Sequence, residues 1–199
     1  MIKSKDLLNI IQETLGKEEF SQQDLETIED LSVKRYKLNG KITDIDLEEL
    51  KIVKNLRILS LSNFAINSNH LEYINENNNL WAIQFSSCYF EDVIPLSENI
   101  KYLILDNCKN LNFDLINNNE TIKIIGIKID LKHMKKFTNI KTLYLQDCEI
   151  DNIEEIKNYK QLKYLNLDGS KINNLNFIMK LSDEIQISYK EDYHPMEEN

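Results

Sequence analysis

Three cysteines, three histidines and a few aspartates are the residues of this chain best suited to chemistry, and their spacing limits what they can do. Cys88, Cys108 and Cys148 lie far apart with no Cys-x-x-Cys pair, and His70, His133 and His194 are scattered around them. A zinc site or an activated thiolate needs such groups at ligand spacing or beside a base. Neither arrangement occurs, so no metal and no cofactor is expected. The chain has no G-x-S-x-G, P-loop, G-x-G-x-x-G or H-E-x-x-H. Its four glycines, Gly16, Gly40, Gly126 and Gly169, belong to no phosphate-cradling run. Asp106, Asp147 and Asp168 could line up as a carboxylate row for a cation or for acid–base work, but Lys128 is expected to interrupt it. The expectation is a protein that is not an enzyme.

The elements that position these residues follow from a repeat. The pattern L-x-x-L-x-L-x-x-(Cys/Asn/Ser)-x-(Ile/Leu) starts clearly at Leu56, Leu80, Ile140 and Leu162, and more loosely at Ile100 and Ile122. Successive starts lie 24, 20, 22, 18 and 22 residues apart, a spacing that fits one short strand and one return per copy. Side chains alternate along a strand. In Leu162–Ile172 this puts Leu165 and Leu167 on a buried face, with Tyr164, Asn166 and Asp168 outward. One such unit cannot bury its own apolar face, so copies must stack.

This pattern resembles the leucine-rich repeat family, and in particular the short repeats of bacterial internalin-like proteins, from Leu56 to Ile172 plus two flanking caps. The resemblance implies an α/β solenoid: a curved, parallel sheet on the concave side, short helical or irregular returns on the convex side, and an N-terminal helical cap. It also implies that the ninth place of each repeat holds a buried Asn or Cys bonded to the turn backbone. Cys88, Cys108 and Cys148 all fall at that place, so one structural slot accounts for all three. Phe64, Asp130 and Ser170 fill it elsewhere. The expected organisation is a cap and first irregular strand over 1–45, repeats over 46–180, and a C-terminal cap and tail over 181–199.

Local signals fill in the ends and returns. Leu7, Leu8, Ile11 and Leu15 form one helical stripe stopped by Gly16, and Ser21 reads as a helix cap with Asp24 in the place of the Glu or Gln of a capping box. Leu31 and Val33 suggest the irregular first strand. Phe177, Ile178, Leu181, Ile185 and Ile187 suggest a last turn and closing strand, before a polar, frayed tail. Ile150, Ile153, Ile156 and Tyr159 recur every three residues, as in a tight helical return, whereas Pro95 among Val93, Ile94 and Leu96 suggests an irregular one. Asn77–Asn79 and Asn117–Asn119 read as surface turns, because Asn tolerates left-handed backbone.

Composition bounds the rest. The chain has 199 residues, enough for one large core, and an odd cysteine count argues against a disulfide framework. No apolar run approaches a membrane span, and the start carries Asp6 and Glu13, unlike a secretory signal. The expected compartment is cytoplasmic; a chain from which a signal had been cut, secreted or held at the surface, would read the same way.

Function then rests on the outward strand residues. The second places give Arg57, Trp81, Lys101, Lys123, Lys141 and Lys163, and the third and fifth give Ile58, Tyr102, Ile104, Ile124, Tyr144 and Tyr164. With Lys128, Asp106, Asp147 and Asp168 this face has a surplus of positive charge, while the chain is formally −9. Lysines at strand starts can simply solvate a sheet edge. A basic rail beside an exposed aromatic and aliphatic band can instead recognise an acidic, partly aromatic protein segment. Nucleic acid fits less well, because the acidic net charge opposes a phosphate backbone. The candidate partner-binding residues are Trp81, Lys101, Tyr102, Ile104, Lys123, Lys141, Tyr144, Lys163 and Tyr164, in an adaptor or regulatory protein that binds through its concave face. The alternative is a structural or assembly element whose interface lies on a cap or the convex side.

Overall fold

The computed structural model describes residues 2–35, 37, 38, 41, 42, 45–134, 137–181 and 185–190. Of the tail expected to fray after Tyr189, residues 191–199, with His194, lie outside them, as does Gly40. The chain divides into two compact units, 1–119 and 120–199.

In the first unit β1 (Asp30–Lys34), β2 (Ile58–Ser62), β3 (Ala82–Ser86) and β4 (Tyr102–Asp106) pair in parallel, each with the next. The register aligns Leu31, Leu59, Ile83 and Leu103 in one row and Val33, Leu61, Phe85 and Leu105 in another. Both rows are buried, as are the first-place residues Ile28, Leu56, Leu80 and Ile100. The first strand, expected to be irregular, is instead a regular member of the sheet, with Ile28 at the first place of its repeat.

In the second unit β5 (Thr121–Ile125), β6 (Thr142–Gln146), β7 (Tyr164–Asn166) and β8 (Gln186–Ser188) pair in the same way. Here the loosest repeat is corrected. Thr121 pairs with Thr142 and Ile122 with Leu143, so this repeat starts at Asn119, not Ile122. Its ninth place holds Ile127 rather than Asp130. Ile124, expected outward, is completely buried, because it occupies the sixth place and not the third.

A shared backbone device ends the strands. The eighth place is left-handed in six repeats, at Asn63, Ser87, Asn107, Gly126, Asp147 and Gly169, with φ between 49° and 72°. The chain must turn there toward its return, and Asn, Asp and Gly tolerate that conformation; Ser87 adopts it at a cost. The Asn triplets do not share it. Asn79 donates from its amide to Lys54 O at 3.0 Å, and Asn55 and Asn99 donate likewise to Glu26 O and Asn78 O. Each stands immediately before a repeat start; Asn79 and Asn99 bond to the preceding copy and Asn55 to the N-terminal cap. Asn119, expected on the surface, is 1% exposed and donates to Ile100 O at 2.6 Å, while its carbonyl accepts from Asn117 N–H. These asparagines are braces between copies.

The cysteine slot is as expected. All three thiols are buried and free, and Cys88, Cys108 and Cys148 donate to Leu61 O, Phe85 O and Ile124 O at 3.3–3.5 Å, each a carbonyl of the preceding strand. Ser170 makes the same bond to Leu145 O at 2.7 Å.

Returns differ in length and kind. Leu47–Ile52 and Ile153–Asn158 are 3-10 turns that bury Leu47, Leu50, Ile153 and Ile156. The second return carries the α-helix α3 (Ser68–Asn75), while residues 91–99, around Pro95, have no helix. The N-terminal cap comprises α1 (Lys5–Leu15), closed by Ser4 and by left-handed Gly16, and the short α2 (Gln22–Leu25), whose capping box pairs Ser21 with Asp24. Glu49 fastens α1 to the first return by accepting from Lys3 N and Ser4 N. At the other end α4 (Leu175–Leu181) precedes β8.

Three outcomes test this register. Leu145→Ala should cost about 2–5 kcal/mol in denaturant unfolding, the usual range for a truncated core leucine, and Tyr144→Ala well under that. Asn119→Ala should cost about 1–3 kcal/mol, because it leaves Ile100 O and Asn117 N–H without their partner. Burial pushes all three thiols up, Cys108 to about 12, so a thiol reagent should label the native protein slowly and the unfolded chain rapidly.

Candidate protein-binding surface

Alternation that buries the fourth and sixth places turns the third, fifth and seventh outward. In the first unit these places bring Ile58, Tyr102, Ser60, Gln84 and Ile104 together beside second-place Trp81. They line a shallow hollow of about 170 Å³ with a mostly apolar surface. Trp81 is 48% exposed and Ile58 38% exposed. The Trp81 and Tyr102 rings stack with centroids 5.9 Å apart, so one side of the hollow is a preformed aromatic wall. Trp81, Tyr102 and Ile104 thus share one site. Ile58, which belonged to the expected band, forms its opposite side; Ser60 and Gln84 were not anticipated.

In the second unit the corresponding face holds Tyr144 and Tyr164, with ring centroids 5.4 Å apart, and Lys123 with its ammonium 5.9 Å from the Tyr144 ring. The corrected register explains that contact: Lys123 pairs with Tyr144 across β5 and β6, at the fifth place rather than the second. Asn166, expected outward, is 6% exposed: its amide bonds Asp168 and the neighbouring strand β8 packs alongside.

The second-place rail is less basic than its lysines suggest. Glu29 and Glu120 occupy that place in the repeats starting at Ile28 and Asn119. Arg57 lies 3.6 Å from Glu29, and Lys141 2.6 Å from Glu120. Both pairs are exposed and contribute little stability, yet each offsets a cation of the rail. Among the described residues, Lys101, Lys123 and Lys163 form no ion pair; Lys101 reaches Asn118 O at 3.5 Å. Glu120 was legible in principle. The stretches T-I-K-I-I-G-I-K-I-D and T-L-Y-L-Q-D-C-E-I-D align without a gap from Thr121 and Thr142, and that alignment puts Glu120 opposite Lys141.

Lys128 leaves this face altogether. It bonds Glu149 at 2.7 Å and Asp151 at 3.5 Å on the return side, and the bond to Glu149 holds its ammonium above the usual lysine range. Ile125, not Lys128, stands at the seventh place beside Gln146. Asp147 sits at the left-handed eighth place and Asp168 at the seventh, so these two do not form a row. Burial would raise the Asp168 carboxyl, but bonds from Asn166 and Ser188 outweigh it and keep the group below the ordinary range. An ionised, hydrogen-bonded carboxylate is a poor proton shuttle. His70 caps α3, accepting from Asn67 N–H through Nδ1 at 3.3 Å. Among the described residues no cluster of three His, Cys, Asp or Glu side chains is placed to hold a metal, and no helix is long and apolar enough to cross a membrane.

No family model matches the chain, and no curated protein matches it. Among solved structures, internalin C2 from Listeria monocytogenes str. 4b F2365 superposes with a TM-score of 0.56 at 18% identity, covering 94% of this chain and 93% of that one. Internalin F from the same strain gives a TM-score of 0.38 at 16% identity, covering 94% of this chain and 76% of that one. The first superposition agrees with the large parallel sheet and the N-terminal helix. On that combined ground the chain has the leucine-rich-repeat fold, of the kind seen in internalin C2.

Proposed function

We propose that the chain is a non-catalytic protein-interaction module, an adaptor or regulatory protein that binds its partner through the outward strand face, the face this fold makes concave. The observation that carries the reading is the apolar and aromatic hollow walled by Trp81, Tyr102, Ile58 and Ile104. Tyr and Trp are enriched among residues that dominate binding energy, and rigid strands present them at low entropic cost. In the second unit Tyr144 and Tyr164 offer a further aromatic contact, with Lys123 and Lys163 beside it. The partner this chemistry favours is an acidic segment with aromatic or aliphatic anchors. Lys141 contributes less, since Glu120 already accompanies it. Three free, buried thiols suit a reducing compartment, so cytoplasmic residence belongs to the same proposal.

A second reading, a structural or assembly element with its interface elsewhere, draws on two exposed apolar groups off the strand face: Tyr89, 49% exposed, and Met179, 75% exposed. The two readings separate in one comparison. Proteins captured from a native lysate by wild type should be lost by a folded Tyr102→Ala/Tyr144→Ala/Tyr164→Ala variant. For the captured partner, Lys123→Glu with Lys163→Glu should slow association several-fold at low salt and much less at high salt. A partner held equally well by the triple variant would move the interface to a cap or the return side.

A further inference from the structure

The hollow on the strand face of the first unit exists because of one residue. The third places of β2, β3 and β4 pair as Ile58, Ala82 and Tyr102, so a methyl group stands between two large side chains. Adjacent strands lie about 4.8 Å apart, and the row therefore lacks one side chain over Ala82. The neighbouring groups do not close the gap. Trp81 stacks against Tyr102, and the Gln84 amide donates along its own strand to Ser86 Oγ at 2.8 Å. What remains is a recess of about 170 Å³ with a nearly all apolar surface, to which Ile58 and Trp81 contribute exposed area.

Charge is uneven along the strands that carry it. Trp81 stands between Arg57 and Lys101 at the strand starts, with Trp81 N donating to Arg57 O and Lys101 N to Trp81 O, each at 2.9 Å. Glu29 offsets Arg57. Lys101 forms no ion pair among the described residues, and its ammonium lies 3.5 Å from the backbone oxygen of Asn118. At the strand ends the seventh-place row runs Ser62, Ser86, Asp106. An approaching carboxylate is therefore drawn to the Lys101 side and repelled at the Asp106 side.

From this geometry we infer that the hollow takes one branched aliphatic side chain, Leu or Ile, from an extended protein segment, with an acidic residue of that segment turned toward Lys101. The inference rests on the proposed interaction role; it adds the side chain that this face selects, and Ala82 as the residue that selects it. A gap one strand wide is what Ile83 fills between Leu59 and Leu103 on the buried face of the same strands. A phenyl ring passes on volume, since an apolar cavity of ~150 Å³ holds benzene. The narrow width between Ile58 and the aromatic wall favours a branched chain over a broad ring. An amide in the recess would leave water without finding partners in apolar walls. Alternate residues of an extended segment share one side, so an acid two residues from the anchor faces the same surface.

Trp81 is the single tryptophan of the chain, so its emission reports on the hollow. The probes are the blocked tripeptides acetyl-Leu-Gly-Asp-amide and acetyl-Asp-Gly-Leu-amide, which cover both chain directions. At least one should shift the emission saturably to shorter wavelength at millimolar concentration. Gln in place of its Leu should weaken binding tenfold or more, and Phe several-fold. Asn in place of its Asp should weaken binding several-fold at low salt and much less at high salt. Ala82→Leu, which fills the recess from its floor, should weaken binding tenfold or more. The inference is overturned if neither peptide gives a saturable shift up to its solubility, or if the Gln or Phe peptide binds as tightly. It is equally overturned if the Asp and Asn peptides bind alike at low salt, or if folded Ala82→Leu binds as well as wild type. Should Ala82→Leu fail to fold, the Leu, Gln and Phe peptides on the wild-type chain decide. A captured partner lost by the triple tyrosine variant, yet held by folded Ala82→Leu as by wild type, overturns the hollow and leaves the proposed function standing.

Discussion

Each repeat carries side chains at its first, fourth and sixth places that it cannot bury alone, and the burial of those rows against neighbouring copies is the interaction on which the remaining features depend. Rows such as Leu31–Leu59–Ile83–Leu103 and Ile122–Leu143–Leu165–Ile187 require parallel strands in strict register, because a slip of one residue would turn the apolar set outward. Parallel pairing obliges the chain to return behind the strands after each copy. The left-handed eighth place starts that return. The cysteine or serine at the ninth place holds it by donating to the preceding strand, and the asparagine before the next strand ties its end to the preceding copy. Buried backbone carbonyls thus receive partners at the points where the ladder alone would leave them bare.

The outward face is the complement of this arrangement. Once places four and six point in, places three and five point out, and neighbouring copies set Trp81 against Tyr102 and Tyr144 against Tyr164 at about one strand spacing. The same geometry brings charges of the second place within reach of each other. Glu29 meets Arg57 and Glu120 meets Lys141, so a row that looks largely basic in the one-dimensional chain is partly self-neutralised.

Strand spacing is uniform, while the returns behind the sheet differ in length and kind. The 3-10 turn Leu47–Ile52 buries Leu47 and Leu50, the helix α3 buries Leu71 and Ile74, and the 3-10 turns Leu131–Met134 and Ile153–Asn158 bury Leu131, Met134, Ile153 and Ile156. The strand face is constrained by register, and the return side is where copies are free to differ.

The sequence by itself determined the repeat architecture, the buried slot of Cys88, Cys108 and Cys148, the caps at Gly16 and Ser21, and the outward direction of Trp81, Tyr102, Tyr144 and Tyr164. These depend on local periodicity, which a single chain displays. Only the tertiary structure decided the register of the repeat at Asn119. Its first place is polar, so hydrophobic pattern alone favoured Ile122, and a three-residue offset moved Ile124 into the core, Lys123 to the fifth place and Lys128 to the return side. Tertiary structure also decided that Asn119 is buried, since its hydrogen bond to Ile100 exists only once two copies stack. The offset of Lys141 by Glu120 is of the same kind: it requires residues about one repeat apart to meet across paired strands, and that distance is set by the fold.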